Sequence, residues 1–234
     1  MVKIGTSRRL KKSAASKKLR RRDFFTYFME VLLIIFGISV AYQLNVYYEG
    51  QKDLQLEKAA LRKVYRENET NMENFYSIVP SRNELQEDTR ELARILFSGG
   101  LLEDDNIGTY LFNINRTYKP IIQLEAINFY LNTNYTNRNS DVKSELITLK
   151  SKYLELRDVV DYYVRMKEKY YSEFLVSDVD FGEEKIISYE KIKSVEFKNL
   201  VVNLLANEQE LNRLFEDTFE LALDLDEMIE EKLN

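Results

Sequence analysis

The 234-residue chain has no Cys, no His and no Trp, and only two Pro and seven Gly. Each absence removes a class of chemistry. Without Cys or His there are no disulfides, zinc fingers, His-ligated haem or Ser-His and Cys-His catalytic pairs, although lack of Cys is compatible with any redox compartment. So few Pro and Gly, beside much Leu, Glu, Lys and Asn, speak against a β-sandwich or a nucleotide-binding α/β sheet and predict an all-α chain of long helices. Also missing are a Gly-rich phosphate loop, a nucleophile elbow and any metal-ligand spacing, so no catalytic residue, cofactor or metal site is expected and the chain reads as non-enzymatic. The paired acids Glu183-Glu184 and Glu230-Glu231 are sequence neighbours, diverge from one another, and read as a solvated face.

What is present is a sharp division of charge. The formal net charge is -5, yet residues 1–23 hold ten Lys or Arg against one Asp, which is +9 and leaves -14 for the remainder. A chain divided this way has two parts facing different surroundings. The head carries Arg8, Arg9, Lys11, Lys12, Lys17, Lys18, Arg20, Arg21 and Arg22 with almost nothing to bury, and predicts disorder in isolation. Its simplest reading is a topology signal. Its functional reading is contact of those nine residues with anionic headgroups, at about 1 kcal/mol each near the surface. Nucleic-acid binding is the alternative set behind both.

Directly after the head comes Phe24 to Asn45, FFTYFMEVLLIIFGISVAYQLN. At about 1.5 Å per residue these residues cover roughly 33 Å, enough for the roughly 30 Å hydrocarbon layer of a bilayer. Aromatic residues stand at both ends, Phe24, Phe25, Tyr27 and Phe28 before and Tyr42, Tyr47 and Tyr48 after, as in interfacial belts. Ser39-Val40-Ala41 imitates a signal-peptidase site, but the apolar run exceeds a usual signal core of roughly 7–15 residues and contains Glu30, so an uncleaved span is expected. The positive-inside rule then puts the N-terminus in the cytoplasm and everything after Asn45 outside it. On a helix Glu30, Gly37 and Ala41 fall within about 20° of one line, which makes a contact face: small residues admit a close neighbour, and an intramembrane acid prefers a protein partner to lipid. The competing reading sends Glu30 to the headgroups to pair with a nearby arginine.

Beyond the span the periodicity is helical. Leu54, Leu61, Tyr65, Met72, Phe75 and Val79 predict an amphipathic helix to Val79, with Lys58 and Asn68 at polar steps; Asn68 reads as a register-fixing seam residue or a solvated edge. Pro80-Ser81 predicts a break and a new helix to Phe97, ended by Ser98-Gly99-Gly100. Glu103-Asp104-Asp105 predicts an acidic helix start. A short helix around Tyr110–Ile114 and an apolar one over Ile121–Leu131 follow, then an Asn-rich loop, 132–140, with Ser140 or Asp141 as N-cap. Val142, Leu146, Leu149, Tyr153, Leu156, Val160, Tyr163, Tyr170 and Phe174 form the cleanest seam, with Lys167 at its one polar step. In Tyr162-Tyr163 and Tyr170-Tyr171 one ring faces the core and one faces out, which is core packing or an aromatic binding surface. Residues 176–193 lose the pattern. Ser194 caps a last helix through Phe197, Val201, Leu204, Leu211, Phe215, Ala222, Leu225 and Ile229.

The run Glu30-Val31-Leu32-Leu33-Ile34-Ile35-Phe36-Gly37-Ile38-Ser39-Val40-Ala41-Tyr42-Gln43-Leu44-Asn45 resembles the N-terminal signature of an uncharacterised Bacteroidota family of single-span envelope proteins, with Met29 in place of its Gly and Tyr47-Tyr48-Glu49 in place of its Trp-Asn-Glu. The resemblance is most specific over about 25 residues, and the Leu124 to Leu131 helix and the Glu196-Phe197-Lys198-Asn199 start of the last helix are similar loosely. It implies a bacterial inner-membrane protein with a periplasmic helical domain, and implies no activity.

Together these readings predict a basic cytoplasmic head at 1–23, a transmembrane helix at 24–45, and an elongated antiparallel helical bundle with coiled-coil-like seams at 46–234. The expected role is a subunit of a cell-envelope complex that scaffolds or docks membrane proteins or a second copy of itself, with membrane lipids around the span. A periplasmic sensor relaying a signal to the membrane is the alternative.

Overall fold

A computed structural model describes the backbone of residues 7–99, 106–135 and 139–234, with side chains from Phe24 onward except that of Phe174. The expectations for Gly100, Glu103-Asp104-Asp105 and the centre of the Asn-rich loop at 136–138 lie outside the described residues. The fold is all-α. Helix α1 is Ser7–Ser98, α2 Ile107–Asn115, α3 Glu125–Asn132 and α4 Ser140–Met166; a π-helical turn, Lys167–Ser172, leads into the short α5, Glu173–Leu175. A two-stranded hairpin, β1 Val179–Asp180 and β2 Lys185–Ile186, precedes α6, Val195–Leu233.

The chain divides into two compact units, Met1–Leu56 and Glu57–Asn234. In the first, helical backbone begins at Ser7, inside the head expected to be disordered in isolation. Arg, Lys, Ala and Leu are strong helix formers, and extending an existing helix avoids the cost of nucleating one. Every described side chain from Phe24 to Glu49 is exposed, the large apolar ones included.

The second unit has its own core. Val142, Leu146, Leu149, Tyr153, Leu156, Val160 and Tyr163 of α4 are all buried, as are all eight seam residues expected on α6. Phe75 of α1 joins the two helices, its ring edge-on to Tyr153 at 5.9 Å and to Phe215 at 5.3 Å. Direction follows from the hydrogen bonds. Lys58 reaches the Leu233 carbonyl, Asn68 the Ala222 carbonyl and Arg82 Glu208, so α6 runs antiparallel to α1. It also opposes α4, since Asp141 pairs with Lys232 and Lys167 lies beside Glu208. Therefore α1 and α4 are parallel, and the all-antiparallel order expected from sequence holds for α6 alone. The intervening chain carries the path back: Ile121, Gln123, Ala126 and Tyr130 meet Asn74, Asn71, Glu67 and Glu57 in turn.

Four local expectations are corrected. Helix α1 passes through Pro80 without ending. The ring is exposed, as is Tyr76, whose carbonyl it deprives of a partner, and Arg82 two residues on is anchored to α6. The apolar helix expected from Ile121 starts at Glu125, because the Glu67 carboxylate accepts from the Ala126 and Ile127 amides at 2.7 and 3.0 Å and so fixes its first turn. The extra residue of the π-helical turn moves the α4 seam from Tyr170 to Tyr171, leaving Tyr170 exposed. Val79, expected in the α1 seam, is exposed and Val64 is buried instead. Two caps agree with the sequence: Gly99, at φ +80°, follows the end of α1, and the Ser194 hydroxyl accepts from the Phe197 amide at 3.1 Å.

Candidate functional site

Near the π-helical turn the three long helices converge on charge. Arg82 of α1, Lys167 of the turn and Glu208 of α6 are at most 3% exposed. Arg82 donates to Glu208 Oε2 at 3.1 Å and to Asn212 Oδ1 at 2.8 Å, with its guanidinium 4.5 Å from the centre of the Phe215 ring. Lys167 donates to the Arg116 carbonyl, lies 3.9 Å from Glu208 Oε1, and sits 4.7 Å from the Tyr163 ring centre. Burial depresses the Lys167 ammonium to about 8, against the opposing pull of Glu208. Burial likewise lowers Arg82, and burial beside Glu208 raises the Tyr163 phenol. Two cations share one carboxylate, and Arg82 Nε, Tyr163 Oη and Glu208 Oε1 have no hydrogen-bond partner among the described residues.

Outside this layer, an open groove of about 760 Å³ runs between α4 with its π-helical turn and the first half of α6. Its walls are two ladders at four-residue spacing: Tyr162, Met166 and Tyr170 on one side, Asn199, Asn203 and Asn207 on the other. The antiparallel register places the rungs opposite one another, since Tyr171 stacks on Phe197 at 6.0 Å and Lys167 lies beside Glu208. Leu200 lies between the Asn rungs. Lys169, Glu173 and Glu196 give the lining a single excess negative charge. The outward ring of each Tyr pair faces this groove, with Tyr162 59% and Tyr170 52% exposed, while Tyr163 and Tyr171 are buried. The Asn207 amide donates to the Asn203 carbonyl at 2.7 Å; those of Asn199 and Asn203 hold no hydrogen bond among the described residues.

Of the residues singled out in the sequence, Glu30, Gly37 and Ala41 lie on α1 with exposed side chains, and a Cβ at Gly37 would meet nothing within 4 Å. The side chains of Arg8, Arg9, Lys11, Lys12, Lys17, Lys18, Arg20, Arg21 and Arg22 lie outside the described residues. Sequence reasoning missed Glu208, Arg82 and the Asn ladder. Glu208 was marked by position: it fills the seam step between Leu204 and Leu211. The ladder was marked by its spacing of four on the side flanking that seam.

No protein-family model matches this chain, nor does any curated protein or solved structure.

Proposed function

We propose that the protein is a single-pass subunit of a cell-envelope membrane complex, anchored by Phe24–Asn45 and docking partners through its helical unit. One observation carries the reading. The described part of α1 includes a window of mean hydropathy 2.1 with none of its residues buried. Such a surface has no place in water, and its length and composition suit a bilayer. The basic head favours a cytoplasmic N-terminus, and the N-terminal resemblance favours an inner-membrane setting with the body in the periplasm. Within the span, Glu30, Gly37 and Ala41 form the contact face, the open space at Gly37 admitting a second helix closely. The helical unit, with its long seams and elongated bundle, acts as the platform.

The test is purification of the tagged chain in mild detergent, with mass spectrometry of what accompanies it, for wild type and Glu30→Leu. A companion membrane protein or a second copy is expected with wild type and is lost with the variant. A monomer without companions overturns the reading.

A further inference from the structure

We propose that the groove between the Tyr162-Met166-Tyr170 and Asn199-Asn203-Asn207 ladders binds an extended peptide segment of a partner protein and reads it through its backbone. The inference rests on the docking reading above and names the kind of segment docked.

The molecule already performs this recognition on itself. Asn71, on α1, donates to the Gln123 carbonyl at 2.9 Å and accepts from the Gln123 amide at 2.8 Å. Asn74 donates to the Ile121 carbonyl at 3.2 Å. Two amides on one helix face thus hold alternate residues of a non-helical segment, 116–124, that Arg116 opens in extended conformation. A carboxamide can do so because it carries a donor and an acceptor side by side, the complement of a peptide N–H and C=O.

On α6 the same residue type recurs with no segment of the described residues to hold. Asn199, Asn203 and Asn207 rise about 6 Å per rung, or about 12 Å in all. Four residues of polyproline-II chain span about 12 Å, so one amide meets every second residue. The remaining side chains of such a segment would fall against Tyr162, Tyr170, Met166 and Leu200, which offer rings of low ordering cost and an adaptable thioether. The lining's single excess negative charge selects a neutral or weakly basic segment. Affinity from main-chain bonds and selectivity from alternate side chains is an established mode of peptide recognition. A hydroxyl-rich glycan is the other chemistry Tyr and Asn could serve, but it has no counterpart elsewhere in the fold.

The experiment uses the full chain in lipid nanodiscs, panned against a phage-displayed library of random dodecapeptides. Enriched sequences are remade with a fluorescein label and titrated by fluorescence anisotropy. Asn203→Ala alone should weaken binding several-fold, and Asn199→Ala with Asn203→Ala at least tenfold. Both side chains are exposed, so the melting curve should not move. N-methylation of alternate peptide amides should abolish binding. Equal binding to wild type and both variants, no enrichment on wild type over the double variant, or indifference to N-methylation would each overturn the proposal. So would chitohexaose binding with the same Asn dependence in place of any peptide. Glu30 takes no part in the readout. Failure here therefore leaves the span reading standing, and retention of partners by Glu30→Leu would sink that reading without moving peptide affinity.

Discussion

Two polar layers lie buried on the three long helices, and they are built on opposite terms. In the first, Asn68 of α1 donates to the Ala222 carbonyl at 2.8 Å and to Asp226 Oδ1 at 2.9 Å of α6, and accepts from the Tyr153 hydroxyl of α4 at 2.7 Å. One neutral side chain is satisfied by both neighbours. In the second, Arg82, Lys167 and Glu208 bring three charges into the core, and three polar atoms have no hydrogen-bond partner among the described residues. The first layer fixes register, since a shift of any helix by one turn would strand a buried amide. The second is expensive. A buried ion network is often no more stable than an apolar replacement of equal volume, so stability is a poor reason for its presence. Its position directly behind the Tyr and Asn ladders suggests that it sets the helix spacing on which the groove depends.

The largest expected effect tests that contrast at its acidic centre. Glu208→Leu leaves two buried cations without a counter-charge and should cost ~3–5 kcal/mol, measured by urea unfolding of the full chain in detergent. Adding Arg82→Met and Lys167→Met to it should return most of the loss. A triple variant as unstable as Glu208→Leu would show that packing, and not charge, governs the layer. Asn68→Leu should cost less, ~1–3 kcal/mol, because it leaves the Tyr153 hydroxyl and Asp226 without their buried partner but strands no full charge pair. A loss equal to that of Glu208→Leu would erase the distinction between the layers.

The seams were legible in the sequence because burial of one face of a helix imposes a period near 3.6, and Leu146, Tyr153, Leu204 and Phe215 carry it directly. Terminators written as single residues were legible too, as at Gly99 and Ser194. What escaped depended on partners distant in sequence. Pro80 ends a helix in isolation but not one whose next turn is tied to α6 through Arg82. The start of α3 is set by Glu67, some sixty residues earlier, and no local signal at Ile121 announces it. Glu208, Thr218 and Asp226 stand in seam positions and were not singled out from the sequence, although the seam register itself predicts their burial. The groove was half visible: the paired tyrosines suggested outward rings, but the ladder facing them became apparent only once α4 and α6 were set antiparallel.

The smallest expected effect separates the two halves of the Asn68 layer by pH. Burial raises the Asp226 carboxyl to about 6, with Glu69 and Glu230 adding to the rise and the Asn68 amide opposing it. A carboxyl whose folded pKa exceeds its unfolded value near 3.8 is held more tightly protonated by the fold. Its contribution therefore favours folding at low pH and is lost as pH rises from about 4 through about 6, leaving a penalty above that range. At 1.36 kcal/mol per pKa unit the penalty is at most ~3 kcal/mol, and water near this partly screened site reduces it to ~1–2. Asp226→Asn keeps the oxygen that accepts from Asn68 and removes the charge. It should therefore stabilise the protein by ~1–2 kcal/mol at pH 7.5, and by less than about half of that at pH 4.5, in paired unfolding curves. A gain independent of pH would mean that the added amide donor, and not relief of a buried charge, stabilises the layer. In that case Asp226 would belong with Asn68 as a register-setting hydrogen-bond acceptor, and of the two layers only that of Glu208 would carry a buried-charge cost.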